Sequence, residues 1–357
     1  MPNLRFTEKP LSDWMQKGGE YSDVVISSRV RIARNLIHHP FPILANMEQA
    51  QDVRNQLTEV LSNQALQDLG PFEPLLLDEL EDVDRQVLME KHLISPNLLN
   101  DSKSGAVLLT DDESVSIMVN EEDHLRIQCL YPGFQLQEAW ERATQIDDAF
   151  EEVVDFAFDD RRGYLTSCPT NVGTGLRVSV MLHLPALAIM NQVGRVLSAV
   201  SQVGLAVRGL YGEGSEAIGN IFQISNQITL GLAEEEIIDN LHSVVLQLIE
   251  YEQHARSRLL SESKLRVTDR IMRSYGILSY STMMDSKEAF QRISDVRLGV
   301  DLGLIDKASV TQMNELTIMT QPGFLQKTFG VKMGSGESDM YRAQLIRNTL
   351  SNVNVQD

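Results

Sequence analysis

The stretch Leu165–Pro185, LTSCPTNVGTGLRVSVMLHLP, constrains this chain more than any other: an apolar run enters a turn built from Cys168, Pro169, Asn171 and Gly173, and a second apolar run leaves it. Pro and Gly at such positions fix an unusual backbone rather than fill space. The pattern beyond the turn predicts a helix. Thr170, Asn171, Thr174 and the backbone N–H groups around Gly173 and Gly175 then stand at a helix start, where they present donors to an anion, and Arg177 adds a positive charge one turn later. That is the design of a phosphate site. For a Gly-Thr-Gly turn taken alone, a loop capping a buried helix is the plain alternative.

At 357 residues the chain suffices for a large domain and a smaller one. Its formal net charge of -19 argues against nucleic acid and anionic membranes as direct partners, because the mean field repels a polyphosphate backbone, and makes basic partners more plausible. Cys129 and Cys168 lie far apart with no C-x-x-C pair, which suggests neither a zinc module nor a disulfide framework and fits a reducing cytosol. The N-terminus, MPNLRFTEKPLSDW, has no apolar signal core, and no uncharged run approaches the ~18 residues of a membrane span, so a soluble, cytoplasmic protein is expected.

In chain order, a short helix is expected around Leu11–Met15. The period-two spacing of Val24, Ile26, Val30 and Ile32 then predicts a strand through SSRVRIARN that puts Arg29 and Arg31 on one face. Asn46 with Gln49 predicts a capping box and a helix to about Leu61, and a helix near Val83–His92 stops before Pro96. Ala106–Leu109 and Ser114–Asn120 read as a hairpin whose end delivers Glu121, Glu122, Asp123 and His124. Leu125–Leu130 continues as a strand carrying Arg126, and an amphipathic helix follows from about Gln135 to Phe158. Helices are expected over roughly Arg177–Gly204, with a join near Pro185.

Leu205–Leu210 and Ile221–Leu230 read as strands, so Gly212 and Gly214 of RGLYGEGSEA connect two strands. This excludes the dinucleotide-binding reading of Gly212, Gly214 and Ala217, which requires a helix next. Glu234–Leu260 carries an apolar stripe, and from Ser261 only helix-type patterning remains, broken at Gly276, Gly299, Gly303, Pro322 and Gly330. The domain boundary falls near residues 255–265, dividing the chain into 1–258 and 259–357.

Five arginines recur at strand ends or beside glycine-rich turns: Arg29, Arg31, Arg126, Arg177 and Arg208. Any one of them is explained by ordinary ion pairing; together, in so acidic a chain, they suggest a polyanion of high charge density, and a nucleoside triphosphate fits. Two carboxylates, Glu121 and Glu213, end neighbouring apolar strands and suit a cationic co-substrate. The sequence holds no G-x-x-x-x-G-K-[ST], no HRD and no H-E-x-x-H, so the common ATP-binding and zinc frameworks are absent. His92 and His124 have no second ligand at metal spacing, which leaves them structural or nucleotide-contacting. Cys168 is either a small buried hydrophobe or, before a helix start and among cations, a group favoured as thiolate.

With these residues assembled, the sequence resembles the ATP:guanidino phosphotransferases, the phosphagen kinases. CPTNVGT matches the family's signature around its reactive cysteine, and SSRVR, NEEDHLR, CPTNVGTGLR and RGLYGEGSE occur in the family's order. ISSRVRIARN, EKHLISP, NEEDHLRIQCL and RSYGIL are most similar to its bacterial protein-arginine-kinase branch, and that similarity runs through the helical C-terminal region. The resemblance implies that Arg29, Arg31, Arg126, Arg177 and Arg208 bind the phosphates of MgATP and that His92 contacts the nucleotide. The implied nucleotide site comprises Ser27, Ser28, Arg29, Val30 and Arg31, then Arg177, Val178, Ser179, Val180 and Met181, then Arg208, Gly209, Leu210, Tyr211, Gly212 and Glu213. Glu121 and Glu213 would clamp the substrate guanidinium, with Glu121 the base, Cys168 beside the same group, and Mg²⁺ held mainly through the nucleotide phosphates. The chemistry is consistent: a guanidinium has a pKa above ~12, so its nitrogen attacks only when carboxylates orient it and accept a proton.

Relatives acting on free arginine or creatine carry a sizeable helical domain ahead of SSRVR, whereas 26 residues precede Ser27 here, and an uncovered site is expected to admit an arginine side chain on a protein. In the protein-arginine-kinase branch the C-terminal region resembles a dimerisation and regulatory phosphoarginine-binding domain with an R-D-x-x-R-A motif. In SDMYRA, Asp339, Arg342 and Ala343 match and Ser338 replaces the first arginine; an exposed helical surface is the alternative. The expectation is an α+β enzyme, an antiparallel sheet flanked by helices in a phosphagen-kinase-type catalytic domain, followed by a smaller all-helical domain. It would transfer the γ-phosphoryl of MgATP to protein arginine. The resemblance adds a homodimer, a stress-gene repressor and damaged proteins as substrates marked for a Clp ATPase/protease, and a zinc-binding activator. The rival readings are a free-guanidino kinase and a non-catalytic adaptor that binds ATP or phosphoarginine.

Overall fold

The structure, a computed structural model, describes residues 5–209 and 218–351. The chain begins with α1 (Arg5–Glu8), α2 (Asp13–Gln16) and β1 (Val25–Arg34), then α3 (Met47–Glu59), α4 (Gln64–Asp68), β2 (Phe72–Leu76), α5 (Asp82–Glu90) and α6 (Pro96–Asn100). It continues through β3 (Ala106–Thr110), β4 (Val115–Val119), β5 (Leu125–Pro132), α7 (Leu136–Glu151), β6 (Phe158–Asp159), β7 (Gly163–Tyr164) and β8 (Leu176–His183). After α8 (Pro185–Ile189), α9 (Val193–Gln202), β9 (Leu205–Arg208) and β10 (Ile221–Asn226), only helices follow: α10 (Glu234–Glu262), α11 (Lys264–Tyr280), α12 (Ser286–Asp301), α13 (Val310–Met319), α14 (Pro322–Phe329) and α15 (Ser335–Ser351). No helix among the described residues is long and apolar enough to cross a membrane.

Eight strands form one antiparallel sheet in the order β2-β3-β4-β5-β1-β8-β10-β9. β5 and β1 are its central pair, and β8 lies next to β1. Alternation along each strand sorts the side chains into two faces. Val30 and Ile32 of β1, Ile127 and Cys129 of β5, Val178 and Val180 of β8 and Ile224 of β10 share one face and are fully buried in the principal core with residues of α7 and α10. The opposite face carries the arginines.

The stretch after CPTNVGTG is therefore a strand, contrary to the expected helix over Arg177–Gly204. β8 pairs on both sides, Arg31 opposite Arg177 on β1 and Ser225 opposite Ser179 on β10. The alternation of polar Arg177 and Ser179 with Val178 and Val180 is short and lapses at Met181 and Leu182, so the period of two is too brief to stand out. Helix begins only at Pro185, and Pro169–Asn171 form a single 3-10 turn. Donors at the start of a long helix are thus not what the CPTNVGTG loop offers. Other differences are smaller: α7 stops at Glu151, before Phe158, and β10 at Asn226, before Leu230.

The capping box at Asn46 and Gln49 is present. In the helical region Pro322 opens α14, and Gly330, left-handed at φ 67°, closes it. Gly276 and Gly299, expected as breaks, lie inside α11 and α12. A Cβ on Gly299 would stand 2.4 Å from Cγ2 of Ile271, so this glycine permits the close approach of those two helices.

Candidate active site

Period-two alternation gathers the five arginines. In β1 it brings Arg29 and Arg31 to the open face of the sheet, in β5 Arg126 and Gln128, in β8 Arg177 and Ser179, and in β10 and β9 the cross-strand pair Gln223 and Arg208. All five line one cavity of about 800 Å³ together with His92, Glu121, Glu122 and Cys168. A smaller apolar recess opens off it, sharing Arg29, His92 and Gln223 and walled further by Ser27, Ser179, Met181 and Ile221.

The cationic wall is electrostatically crowded. Burial, then Arg126, Arg177 and Arg208, pull Arg29 down to about 10, and burial with Arg29, Arg126 and Arg177 pulls Arg31 well below the ordinary range. Guanidinium does not give up its proton in proteins, so these shifts measure how much the group requires a counter-anion. Two of the Arg29 donors meet neutral partners, Gln223 Oε1 at 2.6 Å and Ser179 Oγ at 3.3 Å. The buried Nε of Arg31 finds no acceptor among the described residues. A cluster of this kind fits the oxygens of a polyphosphate.

Arg126 is tied to a carboxylate: it donates to Glu121 Oε2 at 2.6 Å, and the other Glu121 oxygen accepts from Ser95 Oγ at 2.5 Å. Burial alone would raise the Glu121 carboxyl, but Arg126, Ser95 and the Glu122 backbone outweigh it and hold the group below its ordinary value. Glu122, beside it, is raised by burial and by the charge of Glu121. The cavity thus grades from a cationic wall to a carboxylate-bearing rim.

The loop holding Cys168 is fixed by residues to which motif reading gave no such role. Asp123 accepts from the Ser167 N–H and from Asn35 Nδ2, each at 2.6 Å, and Asn35 Oδ1 in turn receives the His124 N–H. Thr229 Oγ1 donates to the carbonyls of Thr170 and Val172. Gly173, at φ 115°, lies so close to residue 229 that a Cβ would stand 2.2 Å from the Thr229 carbonyl oxygen. Asn226 braces β8 through the Val178 N–H and the Leu176 carbonyl. One signal was available for Asn226, a polar residue in the apolar phase of its strand. Cys168 Sγ itself lies 3.0 Å from Thr170 Oγ1.

The remaining predicted residues divide clearly. Ser28, Val30, Val178 and Val180 face the core, so their side chains cannot reach a ligand in the cavity; Ser28 Oγ instead donates to the Gly133 carbonyl. Gly209 is described, while Leu210, Tyr211, Gly212 and Glu213 lie outside the described residues. His92 lines the cavity, and burial and Arg29 pull it down to about 4, leaving a neutral ring at neutral pH. His124 is structural: its Nδ1 accepts from the Leu36 N–H and its Nε2 faces the Pro40 carbonyl. Asp339, Arg342 and Ala343 sit on α15 and line neither cavity. Arg342 and Ala343 are buried rather than on an exposed helical surface, and Arg342 donates to Asp339 and to the carbonyls of Thr320 and Met284.

Comparison with known proteins agrees with this geometry. Residues 52–255 match the model of the ATP:guanido phosphotransferase C-terminal catalytic domain, and residues 264–357 that of the protein-arginine kinase McsB C-terminal domain. The chain belongs to the ATP:guanido phosphotransferase family and is a kinase. Within that family its relatives are the protein-arginine kinases: that of Brevibacillus brevis is 55% identical over 357 residues, covering 100% of both chains. That of Bacillus subtilis is 53% identical over 345 residues, covering 97% of this chain and 95% of its own. Among solved structures, lombricine kinase shares the fold at a TM-score of 0.58 and 22% identity, covering 72% of each chain. The duplicated taurocyamine kinase of Schistosoma mansoni, with bound transition state analog components, does so at 0.57 and 20%, over 93% of this chain and 50% of that one.

Proposed function

We propose that the chain transfers the γ-phosphoryl group of MgATP to the guanidinium of arginine side chains in proteins. The observation that carries this reading is the single sheet face on which five arginines converge and end at the buried Glu121. The cationic wall would hold the triphosphate and spread the charge that develops on the transferring phosphoryl. Mg²⁺ would ride on the phosphate oxygens and neutralise part of their charge. At the rim, Glu121 would orient a substrate guanidinium and take its proton as nitrogen attacks phosphorus and the bond to the departing ADP oxygen breaks. Glu213 would complete the clamp and Cys168 tune it electrostatically. Most of the rate enhancement then comes from positioning.

The names of the relatives support protein arginine over a free guanidino compound as acceptor. Guided by the two family matches, we assign residues 1–258 to the catalytic unit and 259–357 to a helical unit; the sequence resemblance adds dimerisation and phosphoarginine recognition there, through Asp339 backed by the buried Arg342 and Ala343. The setting that goes with this reading is a cytoplasmic stress response, in which a repressor and damaged proteins are marked for a Clp protease and a zinc-binding activator stimulates the kinase. The test is phosphotransfer from MgATP to an arginine-rich protein beside free arginine, with the product checked for acid lability and localised by mass spectrometry at neutral pH. Acid-labile phosphate on protein arginine alone is the expected result; transfer to free arginine alone, or to neither, overturns it.

A further inference from the structure

Arg297 of α12 and Asn314 and Thr317 of α13 line the recess beside the cavity directly, and α14 meets it through one carboxylate of α5. Glu90, at the end of α5, is 2% exposed and faces the N-terminus of α14. Its Oε1 accepts from the Gly323 N–H at 2.8 Å and its Oε2 from the Phe324 N–H at 3.0 Å, while Gln86 donates to Oε1. Gly323 is small for a reason: a Cβ there would stand 2.5 Å from Gln86 Cγ and 3.0 Å from Glu90 Oε2. A second tie joins the same helices, Lys327 of α14 to Asp84 at the far end of α5. Leu11, Val87, Ile318 and Phe324 form a small core around the joint.

Two residues beyond Glu90 the chain reverses at His92, whose φ of 61° is a left-handed conformation that neighbours must hold in place. Gln128, on the arginine-bearing face of β5, grips the His92 carbonyl at 2.8 Å. Glu90 and His92 are both walls of the apolar recess, as are Asn314 and Thr317 of α13. The backbone at His92 is thus held from the sheet by Gln128, and two residues earlier Glu90 is held by the C-terminal helices.

We infer that Glu90 is a positioning residue through which α14 of the C-terminal region sets His92 and closes the recess, so that nucleotide affinity depends on the Glu90 end of the α5–α14 joint and not on its Asp84–Lys327 end. This rests on the recess and its adjoining cavity being the nucleotide site. The carboxylate is used because two adjacent amides at a helix start offer parallel donors to its two oxygens, a bidentate tie that neither an amide nor an alkyl side chain reproduces.

The experiment compares the full-length parent with Glu90→Gln, Gly323→Ala and Asp84→Asn, measuring equilibrium binding of a fluorescent ATP analogue alongside KM and kcat. Glu90→Gln turns an amide N–H₂ toward the α14 donors, and Gly323→Ala pushes the same contact apart from the other side. Both are expected to weaken nucleotide binding and raise the KM for ATP roughly tenfold while kcat at saturating ATP stays within about twofold. Asp84→Asn loosens α14 away from the recess and is expected to lower thermal stability with nucleotide affinity unchanged. Parental affinity in a folded Glu90→Gln overturns the inference, as does an equal loss in Asp84→Asn; if Glu90→Gln does not fold, Gly323→Ala carries the test. A parent that binds no nucleotide overturns the reading of the site itself, which separates that failure from failure of this joint.

Discussion

Arg31 on β1 and Arg177 on β8 stand directly opposite each other on neighbouring strands of the sheet, two like charges facing one cavity. Such cross-strand pairs are ordinarily destabilising. The backbone ladder fixes their spacing regardless of side-chain repulsion, which Glu121 offsets in part at Arg31 and which a bound anion would relieve further.

Substituting Arg31 separates stability from function. Arg31→Ala removes a crowded guanidinium whose Nε has no acceptor among the described residues, so urea unfolding is expected to show stability unchanged or raised by up to about 1 kcal/mol. Phosphotransfer is expected to fall by roughly two orders of magnitude, because a charge aimed at the phosphates is lost. A variant that loses stability but keeps activity contradicts the reading.

The same crowding predicts stabilisation by polyanions without any turnover. Inorganic tripolyphosphate should raise the thermal midpoint, by the equivalent of about 2.7 kcal/mol at a hundredfold excess over its Kd, and added salt should shrink the effect. Differential scanning fluorimetry of parent and Arg177→Ala would decide it: the variant is expected to respond less.

Glu121→Gln should abolish most phosphotransfer, by roughly 100-fold or more, while nucleotide binding persists. It should also cost stability at neutral pH, about 2–4 kcal/mol, since Arg126 is left without its buried carboxylate. Because the folded carboxyl is held below its ordinary value, this contribution is fully present above the unfolded pKa and is lost as pH falls through the folded one. Parent and variant unfolding curves should therefore converge in acid; a gap that stays constant with pH would sink this assignment.

Histidine gives a second, oppositely based acid sensitivity. Burial pulls His92 and His124 each from an ordinary 6.5 to about 4, so between those values the unfolded chain binds protons that the folded chain refuses. Stability should fall as pH drops from about 6.5 to 4, by roughly 2–3 kcal/mol per group at the lower end. Chemical denaturation at several pH values should show the slope, and His124→Asn should flatten it by about one proton.

Gly173→Ala tests the loop that carries Cys168. The new Cβ would meet the Thr229 carbonyl at 2.2 Å on a backbone with φ 115°, which is expected to cost about 2–4 kcal/mol and most of the activity. Gly194→Ala, inside α9 with open space at its Cβ, is the control and should be neutral or slightly stabilising on thermal unfolding.

What the sequence alone determined was local and periodic. The alternation in SSRVRIARN, the hairpin leading to Glu121, the capping box at Asn46 and the helical C-terminal third are each written in a few neighbouring residues. The five arginines were recognisable as a set because their motifs occur together and in order. Tertiary structure alone decided which side of the sheet each residue faces and what lies opposite. The polar-apolar alternation of Arg177–Val180 lapses at Met181 and Leu182, too short a period to decide the element, so Leu176–His183 passed for a helix until its pairing with β1 and β10 was seen. The same pairing sends Val178 and Val180 into the core and Arg177 and Ser179 into the cavity, a distinction that a contiguous motif does not make. The braces at Asn35, Asp123, Thr229 and Glu90 were equally hidden, because a buried polar group is identified by the partner it meets, and those partners lie 44 to 234 residues away in the chain.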